Sequence, residues 1–397
     1  MIGVATHLSI APSIVAEVAT GRPPAVLQVL PSLVQGGVER GTVEIAAALA
    51  AAGWRSLVAS SGGPLARELA RHGAEHIQLP LASKNPFVIR RNGRRLAELI
   101  AARQVDIVHA RSRAPAWSAL AAARKSGAHF VTTFHSSYGE AAWKHWYNAV
   151  MAKGERVIAI SDFLAEHARR RFGVEEPRLV TIHRGVDLAL FDPRRVNGAR
   201  IVDLARAWRL EDGARVVLLP GRLTRWKGQV VMLRAFAALA REDVQCVLLG
   251  SAQGRDKYRR ELEDLATALG IAQRVRIVEQ GRDMPAAYML ADVVVSASIE
   301  PEGFGRVAAE AQAMGRPVVA TNHGGSRETV LPGETGWLVP PGDVGALAQA
   351  LAAAIDLGEV PRRAIAERAR QHITEKFSLD AMRQRTLQVY YDLLFPA

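Results

Sequence analysis

The chain has 397 residues, of which 49% are apolar, with 33 glycines, 19 prolines and one cysteine, Cys246. This composition excludes a disordered chain and a collagen-like fibre, because it shows neither charge dominance nor a glycine period. The length accommodates two globular domains of about 100–200 residues each. A single cysteine allows no intramolecular disulfide and no cysteine-rich metal site, which favours a reducing compartment.

The charge is unevenly distributed along the chain. The 51 Lys and Arg residues exceed the 39 Asp and Glu residues by 12. Residues 1–200 hold 26 basic and 15 acidic residues, a net charge of +11, whereas residues 201–397 hold 25 and 24, a net charge of +1. A one-sided positive field attracts polyanions such as nucleic acid, an anionic membrane surface or a phosphorylated substrate. We expect no nucleic acid partner, because no recognisable nucleic-acid-binding module accompanies the charge.

Residues 1–24 are predicted to be a poorly ordered leader. An apolar run lies within residues 8–18, but no Lys or Arg precedes Arg22. A secretory signal requires a basic segment before its apolar run, so this leader does not resemble one. No stretch reaches the roughly 20 uninterrupted apolar residues of a bilayer span. We therefore expect a protein of the cytoplasm that does not cross a membrane.

Short β-branched runs alternate with helical patterns throughout the sequence, as is typical of βαβ units and parallel sheets. The predicted strands are 26–30, 56–60, 106–110, 130–134, 157–160 and 179–182 in the first half, then 216–220, 246–250, 275–278, 293–296 and 318–321. This pattern predicts an α/β protein with two doubly wound domains. We place them at residues 25–195 and 196–378, because the interval 185–214 is rich in turn residues and lacks a strand pattern.

The most informative motif follows the predicted strand 293–296. Glu302, Gly303, Phe304 and Gly305 form a turn, and a helix is predicted directly after it. Glycines allow a ligand to approach the backbone, and the free N–H groups of a helix N-terminus attract phosphate. The motif therefore predicts an anion-binding turn.

Glu310 lies within the helix predicted after this turn. Its neighbours are mostly alanines, which predict a buried helix, and an unpaired carboxylate is costly in such a place. A carboxylate near a helix start can accept hydrogen bonds from a ribose diol. We therefore favour a nucleotide-binding role for Glu310 over that of a solvated helix residue.

Arg222 and Lys227 lie on the loop that follows the predicted strand 216–220. Ligands of doubly wound sheets bind at the carboxyl ends of the strands, where such a loop lies. The two cations can clamp a diphosphate, the arginine through two hydrogen bonds and the lysine as a point charge. Alone they would indicate only surface charge, but the glycine turn supports a phosphate site.

Gly36, Gly37 and His135 lie at the corresponding edge of the first domain. The glycine pair follows the first predicted strand, and His135 follows the strand 130–134. Each is a weak signal by itself, since many βα turns contain glycine and most single histidines are packed or solvated. Two domains that face each other would place these residues at a cleft between them.

Together these features resemble the retaining glycosyltransferases of family 4, which have the GT-B fold of two Rossmann-like domains facing across a cleft. The resemblance extends over about residues 26–394, and its specific element is the family's Glu-x7-Glu motif, here Glu302 and Glu310. It implies transfer of a sugar from a nucleotide-sugar such as a UDP- or GDP-sugar, with retention at the anomeric carbon. It also implies that residues 379–397 return to the first domain as a helix.

The resemblance also implies roles for individual residues. No metal or other cofactor is expected, because the chain lacks the Asp-x-Asp triplet with which many glycosyltransferases of the other main fold hold a metal. The resemblance implies that Glu310 binds the ribose hydroxyls and that His135 contacts the donor sugar. Glu302 and the backbone of Gly303, Phe304 and Gly305 would contact the sugar and the phosphates. Arg222, Lys227 and Gly37 would contact the diphosphate.

Two residues depart from the family's commonest pattern. Arg184 stands where asparagine is usual, and Arg306 stands where an aliphatic residue is frequent. We expect neither to touch the residues that carry the resemblance. Among family members, the chain resembles bacterial cell-envelope enzymes of the lipopolysaccharide core type, which implies a saccharide or lipid-linked acceptor.

A basic segment in the first domain could bind an anionic membrane surface. Cations one helical turn apart share one face of a predicted helix, while Leu96, Leu99 and Ile100 lie on another. A basic amphipathic helix is typical of membrane-surface elements, although the solvated face of an ordinary helix shows the same pattern. Trp143 and Trp146 could lie at lipid headgroups, beneath an acceptor, or in the core. The candidate cations are Lys84, Arg90, Arg91, Arg94 and Arg95.

Two alternative functions remain open. The first is an epimerase or phosphorylase of the same fold, which would bind the same donor. A transferase differs from these enzymes in moving the sugar to a new acceptor. The second is a non-catalytic membrane-surface protein, which would have the fold without the activity.

We expect the protein to be cytoplasmic, either free or peripheral on the inner face of the membrane.

Overall fold

The computed structural model describes residues 21–34, 36–138, 142–279 and 283–396, so most of the predicted leader lies outside the described residues. The chain divides into two compact units, one of residues up to Gly185 together with those from Asp380 onward, the other Val186–Leu379. The division falls ten residues before the predicted one (195 − 185). The reason is that Val186 donates its N–H to the Phe377 carbonyl at 2.8 Å, which ties it to the second unit.

The first unit contains a seven-stranded sheet in which all neighbouring strands are parallel. The strands, in the order β3-β2-β1-β4-β5-β6-β7, are β1 (Ala25–Val29), β2 (Arg55–Ser60), β3 (Glu75–Gln78), β4 (Ile107–Ala110), β5 (His129–Phe134), β6 (Arg156–Ala159) and β7 (Leu179–Thr181). The helices between them are α1 (Gly37–Ala51), α2 (Ala66–Arg71), α3 (Pro86–Arg103), α4 (Arg113–Ser126), α5 (Ala142–Asn148) and α6 (Asp162–Phe172).

The second unit repeats this architecture with a six-stranded parallel sheet. In the order β10-β9-β8-β11-β12-β13, its strands are β8 (Arg215–Pro220), β9 (Val244–Leu249), β10 (Val275–Val278), β11 (Val293–Ser296), β12 (Val318–Thr321) and β13 (Trp337–Val339). Its helices are α7 (Gly198–Ala207), α8 (Gln229–Ala238), α9 (Asp256–Ala268), α10 (Met284–Leu290), α11 (Arg306–Ala313), α12 (Ser326–Thr329), α13 (Val344–Ile355) and α14 (Glu359–Lys376).

The central strands are those that the sequence predicted. Helices cover both faces of a parallel sheet, so central strands are continuous apolar runs, and β1 is buried along its whole length. Two strands were not predicted, β3 and β13, and both are edge strands. The ends of β3 are exposed and polar, and β13 is an apolar run of only three residues, which is too short to be recognised by itself.

The last helix, α15 (Leu379–Leu394), belongs to the first unit apart from its first residue. Its Tyr390 is buried, and the hydroxyl lies 2.5 Å from Nδ1 of His109 on β4. Nε2 of His109 lies 2.6 Å from the Thr133 hydroxyl on β5. This buried chain of hydrogen bonds fixes α15 to the middle of the first sheet.

Each sheet has one point at which the strand order reverses direction. In the first unit it lies between β1 and β4, and in the second between β8 and β11. Loops that leave adjacent strands in opposite directions open a crevice at the carboxyl edge, which is where open α/β sheets bind ligands. The loops after β8 and β11 carry Arg222, Lys227 and Glu302, so the strongest candidate residues meet at the second switch point.

Candidate functional site

The centre of the candidate site is an ion pair between the loops that follow β8 and β11. Nζ of Lys227 lies 2.7 Å from Oε1 of Glu302, and their side chains are 13% and 11% exposed. The hydroxyls of Ser296 and Ser298 also donate to this oxygen, the former at 3.2 Å. The ammonium lies 4.4 Å from the centre of the Trp226 ring, close enough for a cation–π interaction.

The partners of Glu302 determine its ionisation. Burial alone would raise the pKa of this carboxyl, since a buried charge loses its hydration. The charge of Lys227 and the hydrogen bonds from Lys227, Ser298 and Ser296 outweigh burial, and the pKa is lowered overall. Glu302 is therefore an anion at neutral pH and Lys227 its counter-ion.

Two close contacts hold the loops together. Ile299 donates its backbone N–H to the Trp226 carbonyl at 2.7 Å. Gly228 has a φ of +74°, and a Cβ placed on it would lie 1.8 Å from the Ala297 carbonyl oxygen. Only glycine fits there, so this residue allows the Lys227 loop to approach the end of β11.

The turn after Glu302 leads into the N-terminus of α11. Gly305 precedes the helix with a φ of +86°, and neither a side-chain cap nor an acidic residue occupies the first turn. Phe304 is 3% exposed and packs edge-on against Phe377, which anchors the turn. The cap residue thus offers no side-chain acceptor to the helix, and the positive end of the helix dipole can attract an anion.

Glu310 lies one turn further along α11 and is 8% exposed. Nε and Nη2 of Arg306 donate to its Oε1 at 3.0 and 2.7 Å, and the Tyr288 hydroxyl on α10 donates to Oε2 at 2.9 Å. The expectation that Arg306 would touch none of the motif residues is therefore wrong. Residues four apart on a helix share a face, which is why Arg306 reaches Glu310.

Tyr288 acts only as a donor to Glu310. It is fully buried, and burial, together with the adjacent Glu310 charge, raises the pKa of its hydroxyl well above its ordinary value. A carboxylate offers about four lone-pair positions, of which three are filled here. Arg306 is 37% exposed and can turn toward solvent, which would free Oε1 for two ligand hydroxyls.

Arg222 differs from Lys227 in having no fixed partner. It is exposed, and its guanidinium makes no hydrogen bond or ion pair with the residues that the structure describes. Its carbonyl accepts a hydrogen bond from Nε2 of Gln229 at 2.9 Å, which fixes the backbone of the loop. Arg225, on the same loop, is instead paired with Glu261. Arg222 is therefore the cation of this loop that is available to a ligand.

The predicted residues of the first unit lie at the carboxyl edge of its sheet. Gly37 begins α1, and Gly36 precedes it without a side-chain cap. His135 directly follows β5, and burial and then the charges of Arg111 and Arg184 lower the pKa of its imidazole well below its ordinary value. His135 is therefore neutral at pH 7. Arg184 thus acts on His135 through its charge, and the expectation that it does not touch the residues of the resemblance stays a prediction.

The amphipathic character of α3 is confirmed. Asn85 caps the helix by accepting from the Phe87 N–H at 2.9 Å, and Leu96 and Ile100 are buried. Phe87 itself is 85% exposed. The cations Lys84, Arg90, Arg91 and Arg94 are exposed and Arg95 is half-buried, and none of the five forms an ion pair with a described residue.

Trp146 is 69% exposed, which excludes the core position considered for it. Its ring stacks on Trp117 of α4 at a centroid distance of 4.8 Å. The side chain of Trp143 lies outside the described residues.

Within the described part of the chain, no single helix has the length and hydropathy of a membrane span. The helices α13 and α14, which are bent by 108° at their junction, pass that test as a pair.

Sequence reasoning missed four residues that complete the site: Ser296, Ser298, Tyr288 and Arg306. Arg306 could have been found, since an arginine four residues before a buried glutamate predicts an ion pair on a helix. The serines border the motif but carry no signal that distinguishes them from ordinary loop residues. Tyr288 lies 22 positions from Glu310, and nothing in the sequence links the two.

Comparison with known proteins identifies the family of the chain. Residues 203–372 match the family model described as glycosyl transferases group 1, and residues 35–190 match that of glycosyltransferase family 4. A D-inositol 3-phosphate glycosyltransferase of Salinispora tropica is 36% identical over 251 residues, which are 61% of this chain and 52% of that protein. The chain spans about half to two thirds of the length of the curated relatives it matches.

Solved structures extend the similarity to nearly the whole chain. A glycosyltransferase from Rickettsia africae is 36% identical with a TM-score of 0.88, covering 95% of this chain and 100% of that one. Anabaena Alr3699/HepE, solved in complex with UDP and glucose, is 24% identical with a TM-score of 0.81, covering 93% and 99%, and shows the same fold. The chain therefore belongs to the group 1 glycosyltransferases with a family 4 N-terminal domain, which have the GT-B fold.

Proposed function

We propose that the chain transfers a sugar from a nucleotide-sugar donor, bound at the switch point of the second unit, to a hydroxyl of an acceptor. The observation that carries this proposal is the largely enclosed Lys227–Glu302 ion pair, whose glutamate lies on the turn that leads into the N-terminus of α11. One end of that helix supplies positive charge for a diphosphate, and the carboxylate of Glu310 lies one turn further on for a ribose.

The cations of the site suit the leaving group of such a reaction. When the bond between the anomeric carbon and the diphosphate oxygen breaks, the electron pair leaves with the diphosphate, and negative charge develops there. The Lys227 ammonium has three N–H donors, of which one is directed at Glu302, and the Arg222 guanidinium has no partner among the described residues. Preorganised positive charge where the negative charge develops is the main means of stabilising such a transition state.

We propose that the reaction retains the configuration at the anomeric carbon and needs no metal. Attack by the acceptor hydroxyl on the face that the diphosphate leaves requires charge stabilisation and positioning rather than a protein nucleophile. Glu302 is held by Lys227 and two serines, which supports a role in orienting the sugar and the lysine. Lys227, Arg222 and the α11 N-terminus would take the place of a divalent cation at the diphosphate.

The positive charge of the first half of the chain favours an anionic or lipid-linked acceptor. The first half of the chain carries a net charge of +11, from 26 basic and 15 acidic residues. The curated relatives named as D-inositol 3-phosphate glycosyltransferases make a phosphorylated cyclitol one candidate acceptor. A lipid-linked envelope saccharide such as lipopolysaccharide core is the other.

The proposed function is tested by measuring the release of nucleoside diphosphate from UDP-, GDP- and ADP-sugars in a buffer that contains EDTA. Each donor is assayed without acceptor, with inositol 3-phosphate and with bacterial lipid extract. We expect one donor to turn over, with release that depends on acceptor and yields a new glycoside. A sugar isomer formed without diphosphate release would indicate an epimerase, and phosphate-dependent formation of a sugar 1-phosphate would indicate a phosphorylase. Failure to bind any donor would leave a non-catalytic binding protein.

We also propose that α3 binds an anionic membrane surface, which would place the protein at the inner face of the membrane. Its cations are free of ion pairs with described residues, so they remain available to lipid phosphates. Phe87 projects at the start of the same helix and is 85% exposed, as expected of an apolar side chain that inserts among lipids. Trp146 stacks on α4, against which α3 packs.

Reversal of two cations on α3 should release the protein from anionic vesicles. Arg90→Glu with Arg94→Glu is expected to weaken binding to vesicles containing phosphatidylglycerol by about 30-fold or more, at about 1 kcal/mol per basic residue lost. The matched control is Arg67→Glu with Arg71→Glu, an exposed pair with the same spacing on α2. Cosedimentation measures both. Equal binding of the two double variants would contradict a membrane role for α3.

A further inference from the structure

Arg306 is the first residue of α11, a position that disfavours a cation. The N-terminal end of a helix carries partial positive charge, so a positively charged side chain in the first turn lowers helix stability. The first turn contains no acidic residue, and the preceding Gly305 has no side chain with which to cap the helix. The stability of the helix therefore does not account for an arginine at this position.

The guanidinium of Arg306 is directed along the helix to Glu310. Nε and Nη2 donate to the same carboxylate oxygen, Oε1, at 3.0 and 2.7 Å. An arginine four residues before a glutamate is the less favourable order of such a pair, because each charge lies toward the end of the helix that disfavours it. Helical side chains also lean toward the N-terminus, away from a partner four residues further on. The helix geometry thus favours another direction for this side chain.

The carboxylate of Glu310 cannot bind a ribose diol while both of these hydrogen bonds are present. Oε1 accepts two hydrogen bonds from Arg306, and the Tyr288 hydroxyl donates to Oε2 at 2.9 Å. A carboxylate oxygen accepts about two hydrogen bonds, so the described partners leave one position, and a diol needs two. Tyr288 is fully buried, whereas the Arg306 side chain is 37% exposed and can move. A ribose at Glu310 would therefore displace at least one N–H of Arg306.

We propose that Arg306 moves from Glu310 to the diphosphate when the nucleotide binds. Without nucleotide, the guanidinium neutralises the buried Glu310 carboxylate. With nucleotide, the ribose hydroxyls replace it there, and the guanidinium turns toward the N-terminus of α11, the direction in which helical side chains lean. The forked guanidinium matches phosphate oxygens, and the anion would offset the unfavourable position of the cation on the helix.

Arg306 is then a specificity-determining residue. It competes with a nucleoside for Glu310, and it repays this competition only to a ligand that also carries phosphates. The site would thereby favour a nucleoside diphosphate or its sugar ester over a nucleoside. This inference rests on the proposed function, which places the ribose at Glu310 and the diphosphate at the start of α11.

The test compares the affinities of UDP, GDP and ADP with those of uridine, guanosine and adenosine. Arg306→Leu introduces an aliphatic residue and removes the competing guanidinium. Nucleoside affinity should rise about twofold to fivefold, as expected from the loss of a partly exposed ion pair. Nucleoside diphosphate affinity should fall about fivefold or more, because a charge-assisted contact to phosphate outweighs that relief. Ligand-observed NMR titration of the full-length protein measures both, with the pair of compounds that the wild type binds most tightly.

Two further variants serve as controls. Arg363→Leu removes an exposed cation from α14, which packs against α11, and should leave both affinities within about twofold of wild type. Arg306→Lys keeps the charge but cannot donate to Oε1 from two nitrogens. It should raise nucleoside affinity and keep nucleoside diphosphate affinity within about threefold of wild type. The same rise in nucleoside affinity tests the proposal if Arg306→Leu does not fold.

The direction of the two shifts decides the outcome. If both affinities fall in Arg306→Leu, Arg306 is a counter-ion that holds Glu310 in place, and the proposal is overturned. Two rising or two unchanged affinities would also overturn it, because the guanidinium would then not contact the diphosphate.

These readouts do not require turnover, so they separate the proposal from the proposed function. Opposite shifts in a chain that transfers no sugar would remove the proposed function and leave the movement of Arg306 in place. Sugar transfer with parallel shifts would do the reverse. A wild type that binds none of the six compounds would overturn both.

Discussion

Lys227→Met is expected to lower kcat by about 10²- to 10³-fold, the usual loss when one group that stabilises developing negative charge is removed. The methionine keeps most of the apolar stem of lysine and removes the charge. In the proposed reaction the ammonium acts on charge that appears as the diphosphate leaves, so kcat should fall far more than donor affinity. Steady-state kinetics with the donor identified in the panel measures both quantities.

Arg225→Met is the matched control for this variant. It removes a cation two residues away on the same loop, where the arginine is 69% exposed and paired with Glu261. An exposed ion pair contributes little to stability, so kcat should remain within about threefold of wild type. An unchanged kcat in Lys227→Met, or an equal loss in the two variants, would exclude Lys227 from the chemistry.

Lys227→Met should also reverse the direction in which ionisation of Glu302 changes the free energy of unfolding with pH. In the wild type the ion pair lowers the pKa of this carboxyl, so its stabilisation is lost only as pH falls through that lowered pKa. Without Lys227, burial raises the pKa above its value in the unfolded chain, and ionisation opposes folding. The free energy of unfolding of Lys227→Met, relative to wild type, should therefore fall between about pH 5 and about pH 8. Urea unfolding at both pH values measures this difference.

Glu310→Ala is expected to raise the Kd for the nucleotide-sugar by about 10- to 100-fold, since hydrogen bonds to a charged group contribute about 1.5–3 kcal/mol. The fold should remain, although the buried Tyr288 hydroxyl loses its acceptor and stability falls by about 1–3 kcal/mol. Calorimetric titration with the donor measures the first effect and urea unfolding the second.

Tyr288→Phe separates these two effects. It removes the buried hydrogen bond to Glu310 and leaves the carboxylate available for a ribose. We expect a comparable loss of stability with donor affinity within about threefold of wild type. If Tyr288→Phe weakened donor binding as much as Glu310→Ala, or if Glu310→Ala bound the donor normally, Glu310 would have a structural role alone.

The two sheets could be predicted from the sequence because their central strands are buried on both faces. A strand such as β1 must then be apolar throughout, and such a run is visible without any knowledge of its neighbours. The edge strands β3 and β13 escape the same reasoning, because the ends of β3 are exposed and β13 is only three residues long. Strand order could not be predicted, because it depends on packing between distant segments.

The candidate site could be predicted in part. Glycine turns and carboxylates at strand ends are local features, so Glu302, Glu310 and Lys227 could be selected as candidates from their positions. Their partners were not found, because contacts such as that between Lys227 and Glu302 join residues 75 positions apart.

The central claim is that the nucleotide binds at the switch point of the second unit, and hydrogen–deuterium exchange with and without the donor's nucleoside diphosphate tests it most directly. We predict slower exchange of backbone amides in residues 221–228 and 302–313, which contain Lys227 and the start of α11, and loss of this protection in Glu310→Ala. Protection confined to other segments, with these two unchanged, would contradict the account.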